Sequence, residues 1–355
     1  MKDKKQVALI FGGTGCEHAV SVAGAKNLYP RFDREKFRVL PVIITKEGKW
    51  LTDEGYAEKD LDGFLGAVSR GNVSDTFPVR LGEKRGFISP SGIIECSCAF
   101  PLLHGDGGED GVIQGALRTA GIPFVGCDTQ ASAVCADKGF TKAVARWLNI
   151  PVVPWIYACG ESAVDFVCLV ERTLGYPVFV KPARLGSSVG AGIARSRPQL
   201  MRVYKSASEL GGGRVIAERY VEGARELECA YFSVNGKVLF TNPGEIISSG
   251  GFYDYGAKYT EESSAKVSTD CHADDEVKEL IRSYAQKLCR VLGCVGVSRV
   301  DFFLDRDGKI YFNEINTMPG MTDTSLYPRL LSAYGISVSE MLTELMEDSW
   351  YAGDI

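Results

Sequence analysis

The sequence predicts an α/β protein, in which an N-terminal βαβ unit with a parallel sheet precedes segments of α+β character. The first observation is the N-terminal order of a strand (6–11), a glycine-rich loop, a helix (20–29) and a second strand (38–44). The second is a pair of turn signals, Asn235-Gly236 and Asp307-Gly308, each between two runs of β-forming residues. A crossover helix indicates parallel strands and a two-residue turn indicates an antiparallel hairpin, so we expect both kinds of sheet.

The other predicted elements follow from hydrophobic periodicity and composition. Strands are predicted at 94–103, 176–182, 215–217, 227–234 and 237–241. Helices are predicted at 112–120, 137–148, 275–292 and 337–346. The segment 248–264 is rich in glycine and tyrosine and lacks apolar periodicity, so we predict a loop that closes over a site as a lid.

Composition excludes several classes of partner. The 355 residues carry 40 basic and 45 acidic side chains, a net charge of −5, which argues against nucleic acid and anionic membranes as partners. The first apolar run ends after residue 11, which is too short for a signal peptide or a membrane span. Eleven cysteines without a secretion signal are expected to be reduced thiols. We therefore expect a cytoplasmic enzyme.

Two glycine-rich segments are candidate ligand-binding loops. Gly12-Gly-Thr-Gly-Cys-Glu17 lacks the G-x-G-x-x-G spacing, and no acid ends the second strand, so a nicotinamide cofactor is not expected. Glu17 either caps the following helix or contacts a substrate ammonium group. Gly186-Ser-Ser-Val-Gly190 is not a Walker motif, but its small residues allow backbone N–H groups to surround phosphate oxygens. Together with Lys138 on a helix and Lys181 on a strand, it predicts a phosphate site.

The last predicted hairpin carries a cluster of charged residues. A two-residue type I′ turn at Asp307-Gly308 would place Arg306 opposite Lys309. Counting back from that turn puts two pairs on one face of the sheet: Arg299 with Asn316, and Asp301 with Glu314. Directly opposed carboxylates repel each other, so stability alone does not explain the second pair. Two acids and an amide beside an arginine suit Mg²⁺ that carries phosphate, whereas the alternative is a solvated face with unrelated charges.

Two further positions are candidates for contact with a substrate. His104 follows a predicted strand and begins a loop rich in glycine and acid, a setting that favours function over a structural role. The Pro319-Gly320 turn after the last hairpin would direct the Gly320 N–H toward the reacting centre.

Taken together, these motifs resemble those of the D-alanine–D-alanine ligases, which are ATP-grasp enzymes. The resemblance extends from Gly12 to Pro328, and its motifs are HGDGGEDG at 104–111, KPARLGSSVG at 181–190, PGEI at 243–246, FYDYGAKY at 252–259, SRVDFFL at 298–304 and NEINTMPGMT at 313–322. It implies the ATP-grasp fold, with an N-terminal domain over 1–128 and two α+β domains over 129–223 and 224–355 that clasp ATP between them.

The resemblance also implies a role for individual residues. It assigns catalysis to Glu17, Ser187, Tyr259, Arg299 and Gly320. It assigns nucleotide binding to Lys138, Lys181, Glu218, Glu226 and Lys258, with the lysines on phosphates and Glu218 and Glu226 on adenine and ribose. It assigns substrate contacts to His104, Ser325 and Leu326, and two Mg²⁺ ions, or Mn²⁺, to Asp301, Glu314 and Asn316. Glu17 would hold the ammonium group of the first D-alanine through a hydrogen-bonded set with Ser187 and Tyr259.

The implied activity is ATP-dependent ligation of two D-alanines through a D-alanyl phosphate, for the synthesis of peptidoglycan precursors, by a homodimer. Members of the family that use D-lactate lack the Lys258-Tyr259 pair, and those that use D-serine have arginine in place of Leu326 and an acid in place of Gly244. These residues therefore favour D-alanine at the second site over D-serine or D-lactate. A non-catalytic regulatory protein on the same fold is the remote alternative, disfavoured because Arg299 and both predicted metal carboxylates are present.

Overall fold

A computed structural model describes residues 4–247 and 266–348. The first part of the chain contains the strands β1 (Lys5–Gly12), β2 (Phe37–Ile44), β3 (Trp50–Thr52), β4 (Ser74–Asp75), β5 (Pro78–Leu81), β6 (Lys84–Ser89), β7 (Gly92–Glu95) and β8 (Cys98–Leu102). Its helices are α1 (His18–Leu28), α2 (Leu61–Ser69) and α3 (Val112–Thr119). Five of these strands form a sheet in the order β4-β3-β2-β1-β8, and β1 pairs in parallel with both β2 and β8. The predicted parallel βαβ unit is therefore confirmed.

The central strand β1 is buried on both faces, as expected for a parallel strand covered by helices. Leu9 and Phe11 face a core that includes Ala25 of α1. Ala8 and Ile10 face a separate core that includes Ile113 of α3. The strand predicted at 94–103 is in fact two strands, because the Cys96 N–H bonds back to β6 whereas the Ser97 N–H bonds to β1. The loops that follow β1 and β8 leave the same edge of the sheet, where the functional residues lie.

The middle of the chain folds as an antiparallel sheet with helices. Its elements are α4 (Thr129–Ala136), α5 (Lys138–Trp147), β9 (Trp155–Cys159), α6 (Ala163–Thr173), β10 (Val178–Pro182), β11 (Gly192–Ala194), α7 (Arg197–Leu210) and β12 (Arg214–Arg219). The strand order is β11-β10-β12-β9, and α6 and α7 pack their apolar faces on this sheet. The sheet carries Lys181 on β10 and Glu218 on β12.

The last part of the chain forms the largest sheet. Its elements are β13 (Arg225–Val234), β14 (Lys237–Phe240), β15 (Gly244–Ile247), β16 (Lys266–Ser268), α8 (Asp275–Leu292), β17 (Val297–Leu304), β18 (Ile310–Asn316), α9 (Leu326–Ala333) and α10 (Val338–Glu347). The strand order is β16-β15-β13-β17-β18, with β14 paired to β13. One face packs on α8 and α4, and α9 and α10 share a core with the N-terminal sheet. The predicted domain ranges each contain one of these large sheets, and their boundaries stay a prediction.

The two predicted hairpins have different outcomes. Asn235 and Gly236 both have positive φ, 49° and 71°, and Val234 pairs with Lys237, which confirms the type I′ turn. The turn after β17 is not the predicted two-residue turn. The Asp305 N–H bonds to the Lys309 carbonyl at 3.0 Å, so three residues lie between the paired positions.

A β-bulge corrects the register that this turn would otherwise shift. Leu304 pairs with Ile310 next to the turn, one residue away from the predicted alignment. An irregularity between Asp301 and Phe302 then adds one residue on β18, so that the metal-site pairs form as predicted: Arg299 with Asn316, and Asp301 with Glu314. The extra residue is Asn313. Bulges often re-aim a side chain next to an active site, and this one has that effect.

Within the described residues, no helix is long and apolar enough to cross a membrane.

Candidate active site

Residues from all three large sheets contact one another in one region, hereafter the cleft. The loop after β1 contacts the loop after β10, where the Ser187 hydroxyl donates to a Glu17 carboxylate oxygen. The loop after β8 contacts the segment after β18, where His104 Nδ1 lies 3.1 Å from the Met318 carbonyl oxygen. The start of α5 contacts β18, where Lys138 Nζ lies 3.2 Å from a carboxylate oxygen. The predicted site residues that make these contacts, Glu17, Ser187, His104, Lys138 and Glu314, therefore link the three sheets to one another.

The Glu17 side chain contacts the glycine-rich loop rather than the start of α1. It occupies the N-cap position, but within the described residues its side chain makes no capping hydrogen bond. Glu17 is 7% exposed, and its carboxylate accepts a hydrogen bond from the Ser187 hydroxyl. Gly186 permits this arrangement, because a Cβ atom there would lie 2.9 Å from Glu17 Oε2. The contact interpretation of Glu17 is thus favoured over the capping interpretation.

His104 is buried and presents a single open acceptor. A carbonyl oxygen only accepts, so the Nδ1 atom must donate to Met318, which fixes the proton on Nδ1 and leaves a lone pair on Nε2. Within the described part of the chain, Nε2 has no hydrogen-bond partner. Burial lowers the pKa of His104 against the opposing influence of the Glu17 carboxylate. The neutral ring can therefore accept a hydrogen bond from a substrate ammonium group.

Glu109 is a residue that sequence reasoning did not single out. Its two carboxylate oxygens accept the Gly105 N–H at 3.0 Å and the Met318 N–H at 3.2 Å, so it joins the loop after β8 to the segment after β18. Burial and the nearby Glu17 carboxylate raise the pKa of Glu109 to about 7. The available signal was its position in the acidic 104–111 loop, where we interpreted only the histidine.

This raised pKa predicts a pH effect on stability. A carboxyl whose pKa is higher in the folded state binds more protons there, so its contribution to the unfolding free energy falls as pH rises from about 4.5 to about 7. Glu109→Gln removes that fall. We expect the variant to gain about 2–3 kcal/mol relative to the parent protein between pH 5 and pH 8. Urea unfolding at both pH values measures this, and a parallel change in both proteins would contradict it.

The predicted phosphate lysines lie on either side of the cleft. Lys138 Nζ is 3.2 Å from Glu314 Oε2 and donates to the Leu185 carbonyl at 2.9 Å. Lys181 Nζ lies 2.9 Å from Glu218 Oε2 and donates to Asn313 Oδ1 at 3.2 Å. Burial acts to lower the pKa of Lys181, but Glu218 and the other nearby carboxylates raise it, so this lysine is held as a cation.

The glycine-rich phosphate loop is anchored by a buried aspartate. Asp137 caps α5 through the Gly139 N–H at 3.0 Å, and its other oxygen lies 3.0 Å from Arg184 Nε and accepts the Tyr157 hydroxyl at 2.9 Å. Arg184 lies two residues before Gly186, where the loop begins, and Asp137 immediately precedes Lys138. The same carboxylate therefore sets the position of the loop and of the lysine that faces it.

Two of the predicted nucleotide residues, Glu226 and Lys258, differ in whether the structure describes them. Glu226 lies on β13, close enough to Lys181 for its charge to help raise that pKa. Its contact with ribose, and that of Glu218 with adenine, stay predictions. Lys258 and Tyr259, like the lid segment to which they belong, lie outside the described residues.

The predicted metal residues form an oxygen-rich face held by cations. Arg299 binds both oxygens of Asp301, at 2.8 and 2.7 Å, and lies 3.2 Å from Glu228 Oε2. Asn316 Nδ2 donates to Asp301 at 2.9 Å. Two opposed carboxylates and an amide are donors that Mg²⁺ prefers, so these residues fit the ion. Among residues 4–247 and 266–348, no three His, Cys, Asp or Glu side chains form a metal-binding group, and the role of the Asn316 amide as a ligand stays a prediction.

The predicted second-substrate residues lie at the start of α9. Ser325 is its N-cap, and the Ser325 hydroxyl accepts the Thr322 N–H at 3.1 Å. A Cβ atom at Gly320 would lie 2.9 Å from Ser325 Oγ, so the oxyanion candidate and the substrate candidate are neighbours. Leu326 is buried, 3% exposed, and a Cβ atom at Gly244 would lie 3.0 Å from its Cδ2 atom.

Models of known families match most of the chain. The family described as "D-ala D-ala ligase N-terminus" matches residues 6–127, and the one described as "D-ala D-ala ligase C-terminus" matches residues 144–347. The chain belongs to the D-alanine–D-alanine ligase family. A relative from Caldicellulosiruptor bescii, called D-alanine--D-alanine ligase, is 40% identical over 352 residues, which cover 97% of this chain and 94% of the relative.

Solved structures of this ligase family agree with the fold. The D-alanine-D-alanine ligase from Coxiella burnetii has a TM-score of 0.83 at 29% identity, covering 98% of this chain and 94% of its own. The VanG D-Ala:D-Ser ligase from Enterococcus faecalis has a TM-score of 0.85 at 33% identity, covering 98% and 100%. The predicted mixed α/β ATP-grasp fold is confirmed.

Proposed function

We propose that this protein ligates two D-alanine molecules to D-alanyl-D-alanine at the expense of ATP, as a step toward peptidoglycan precursors. The observation that carries the proposal is the set of contacts that joins the three sheets: Glu17 with Ser187 of the glycine-rich loop, and Lys138 with Glu314, which pairs with Asp301. The relatives named as D-alanine--D-alanine ligases support the same substrates. The complete set of charged groups disfavours a non-catalytic regulatory protein.

In the first step, a carboxylate oxygen of D-alanine attacks the γ-phosphorus of ATP and the bond to ADP breaks, which gives an acyl phosphate. Lys138 and Lys181 would bind the phosphates, and the N–H groups of the 186–190 loop would surround phosphate oxygens. Asp301, Glu314 and Asn316 would hold two Mg²⁺ ions, or Mn²⁺, which when bound neutralise charge on the transferred phosphoryl group. Asn316 would present its amide oxygen to the metal after rotation of the amide.

In the second step, the amine of the second D-alanine loses a proton, attacks the acyl carbon, and inorganic phosphate leaves. Glu17 and the open Nε2 of His104 would hold the ammonium group of the first D-alanine, so its carbonyl stays in place. Arg299 and the Gly320 N–H would stabilise the oxyanion. Tyr259 would complete the hydrogen-bonded set with Glu17 and Ser187, and the acyl phosphate would be shielded from water by the predicted lid.

The second substrate decides between this proposal and its nearest alternative. The structure is closely similar to that of VanG, a D-Ala:D-Ser ligase, so D-serine is the nearest alternative for the second substrate. Here the buried Leu326 side chain occupies the space beside Gly244 and offers a substrate hydroxyl no polar partner. Such apolar pockets discriminate against a hydroxyl by only about 10²-fold, so we expect D-Ala-D-Ala as the main product, with some D-Ala-D-Ser and little D-Ala-D-lactate.

A competition experiment measures this preference. The protein is incubated with ATP, Mg²⁺ and equimolar D-alanine, D-serine and D-lactate at neutral pH, and the products are read by mass spectrometry. A majority of D-Ala-D-Ser or D-Ala-D-lactate would contradict the substrate proposal and leave the ligase proposal standing. The cytoplasmic location and the homodimer are further parts of this proposal, and sedimentation velocity measures the second.

A further inference from the structure

Helix α5 carries a second buried lysine for which the mechanism above has no role. Lys142 lies one helical turn after Lys138, on the same face, and its side chain is 0% exposed. Its ammonium nitrogen is 2.6 Å from Glu218 Oε1 and 3.4 Å from the Phe312 carbonyl oxygen. Glu218 belongs to the middle sheet and Phe312 to the last sheet. One ammonium group therefore contacts both of the sheets that carry the predicted nucleotide and metal residues.

Glu218 is shared between this lysine and a lysine of the cleft. Its other oxygen, Oε2, lies 2.9 Å from Lys181 Nζ. Lys181 pairs with Ile216 in the antiparallel register, so Glu218, two residues further on, lies on the same face of the sheet. Burial would raise the pKa of Glu218, but Lys142 and Lys181 lower it to about 2. The carboxylate is therefore charged at any physiological pH.

The three groups hold an unequal count of charges. Glu218 alone is outnumbered by the two lysines, and the charges of Glu314 and Glu226 also act on Lys181. Lys142 is fully enclosed, whereas the Lys181 side chain, 11% exposed, reaches the cleft. The nearby Glu314 carboxylate faces Lys138 at 3.2 Å. Of the two lysines that pair with Glu218, Lys181 is therefore the one that an entering anion can reach.

We propose that Lys142 is a positioning residue for nucleotide binding, which keeps Glu218 neutralised so that the Lys181 ammonium can turn to a nucleotide phosphate. The inference rests on the proposed function, because it takes the anion beside Lys181 to be a nucleotide phosphate. Without Lys142, Lys181 would be the main partner of a buried carboxylate. Drawing Lys181 toward phosphate would then leave that carboxylate uncompensated, and nucleotide would bind more weakly.

The first test compares Lys142→Met with the parent protein. Isothermal titration calorimetry with Mg²⁺ and ADP gives the nucleotide Kd, and we expect it to rise at least about tenfold in the variant. The KM for D-alanine at saturating ATP should stay within about twofold, because the amino-acid residues are untouched. If Lys142 had a role in folding alone, the variant would have a lower melting temperature, but the nucleotide Kd would not rise while the KM for D-alanine stayed constant. An unchanged nucleotide Kd would overturn the inference.

A matched control separates this effect from the loss of any ion-paired lysine. Lys278 on α8 is 15% exposed and lies 2.9 Å from Asp270 Oδ1, outside the cleft. Lys278→Met should leave the nucleotide Kd as it is in the parent protein. If the parent protein itself does not bind Mg²⁺ and ADP, the proposed function fails, which is a different result from equal binding by the parent and Lys142→Met.

A second pair of variants keeps the inference testable if Lys142→Met does not fold. Glu218→Gln removes the charge that Lys142 neutralises, so removal of Lys142 from that background should have no further effect on nucleotide binding. We expect Glu218→Gln and Lys142→Met/Glu218→Gln to bind ADP with a Kd within about twofold of each other. A further loss of about tenfold in the double variant would show that Lys142 acts on nucleotide independently of Glu218, and would overturn the inference.

Discussion

Glu314→Gln should lower kcat/KM for ATP by about 10²–10³, because it removes a charged oxygen ligand of the predicted metal site, and such a metal contributes several kcal/mol of charge stabilisation. The fold should be retained, because the substitution relieves repulsion with Asp301, directly opposite on β17. Lys138 keeps its bond to the Leu185 carbonyl. A coupled assay of ADP release across a range of Mg²⁺ concentrations measures the loss, and thermal unfolding checks the fold.

The matched control is the same substitution at an exposed acid. Glu279 on α8 is 67% exposed and pairs with Arg282, so Glu279→Gln should leave turnover unchanged. Asp301→Asn is a poorer probe of the metal site than Glu314→Gln, because Arg299 binds both oxygens of Asp301 and would lose a buried partner. A Glu314→Gln protein with the Mg²⁺ dependence and rate of its parent would show that the metal assignment is wrong.

Glu17→Gln should lower kcat/KM for D-alanine by about 10², because a buried carboxylate that pairs with an ammonium group contributes a charge-assisted contact of a few kcal/mol. The KM for ATP should change little, since Glu17 contacts the amino-acid side of the cleft. Ser187→Ala, which removes only the donor to Glu17, should have a smaller effect of about tenfold. Initial rates at varied D-alanine and saturating ATP measure both. A rise in the KM for ATP alone would contradict this role.

The sequence predicted the opposed pairs on the last hairpin for a reason that was partly wrong. The turn contains one residue more than expected, and the pairs form only because a bulge inserts Asn313 into β18. Turn length and bulge position depend on how the strand packs against its neighbours, which local patterns do not contain. The side chain of Asn313 accepts a hydrogen bond from Lys181. The predicted register did not include the bulge, so this contact could not be predicted.

Other parts of the site followed from local patterns to different degrees. Strand alternation and glycine-rich loops sufficed to predict where Glu17, His104 and Lys181 lie. The capping and contact interpretations of Glu17 could not be separated without the position of Ser187, which is 170 residues away. Lys142 was missed because a lysine on an amphipathic helix is normally exposed, and only the packing of α5 between two sheets encloses it.

The contacts of His104 and Glu109 with residue 318 have a consequence for exchanging domains between related ligases. Both involve the main chain of Met318, through its carbonyl oxygen and its N–H. Any amino acid except proline supplies both groups, so these hydrogen bonds tolerate sequence divergence at this position. A hybrid that joins the N-terminal half of one homologue to the C-terminal half of another would keep this junction wherever the histidine and the glutamate are retained.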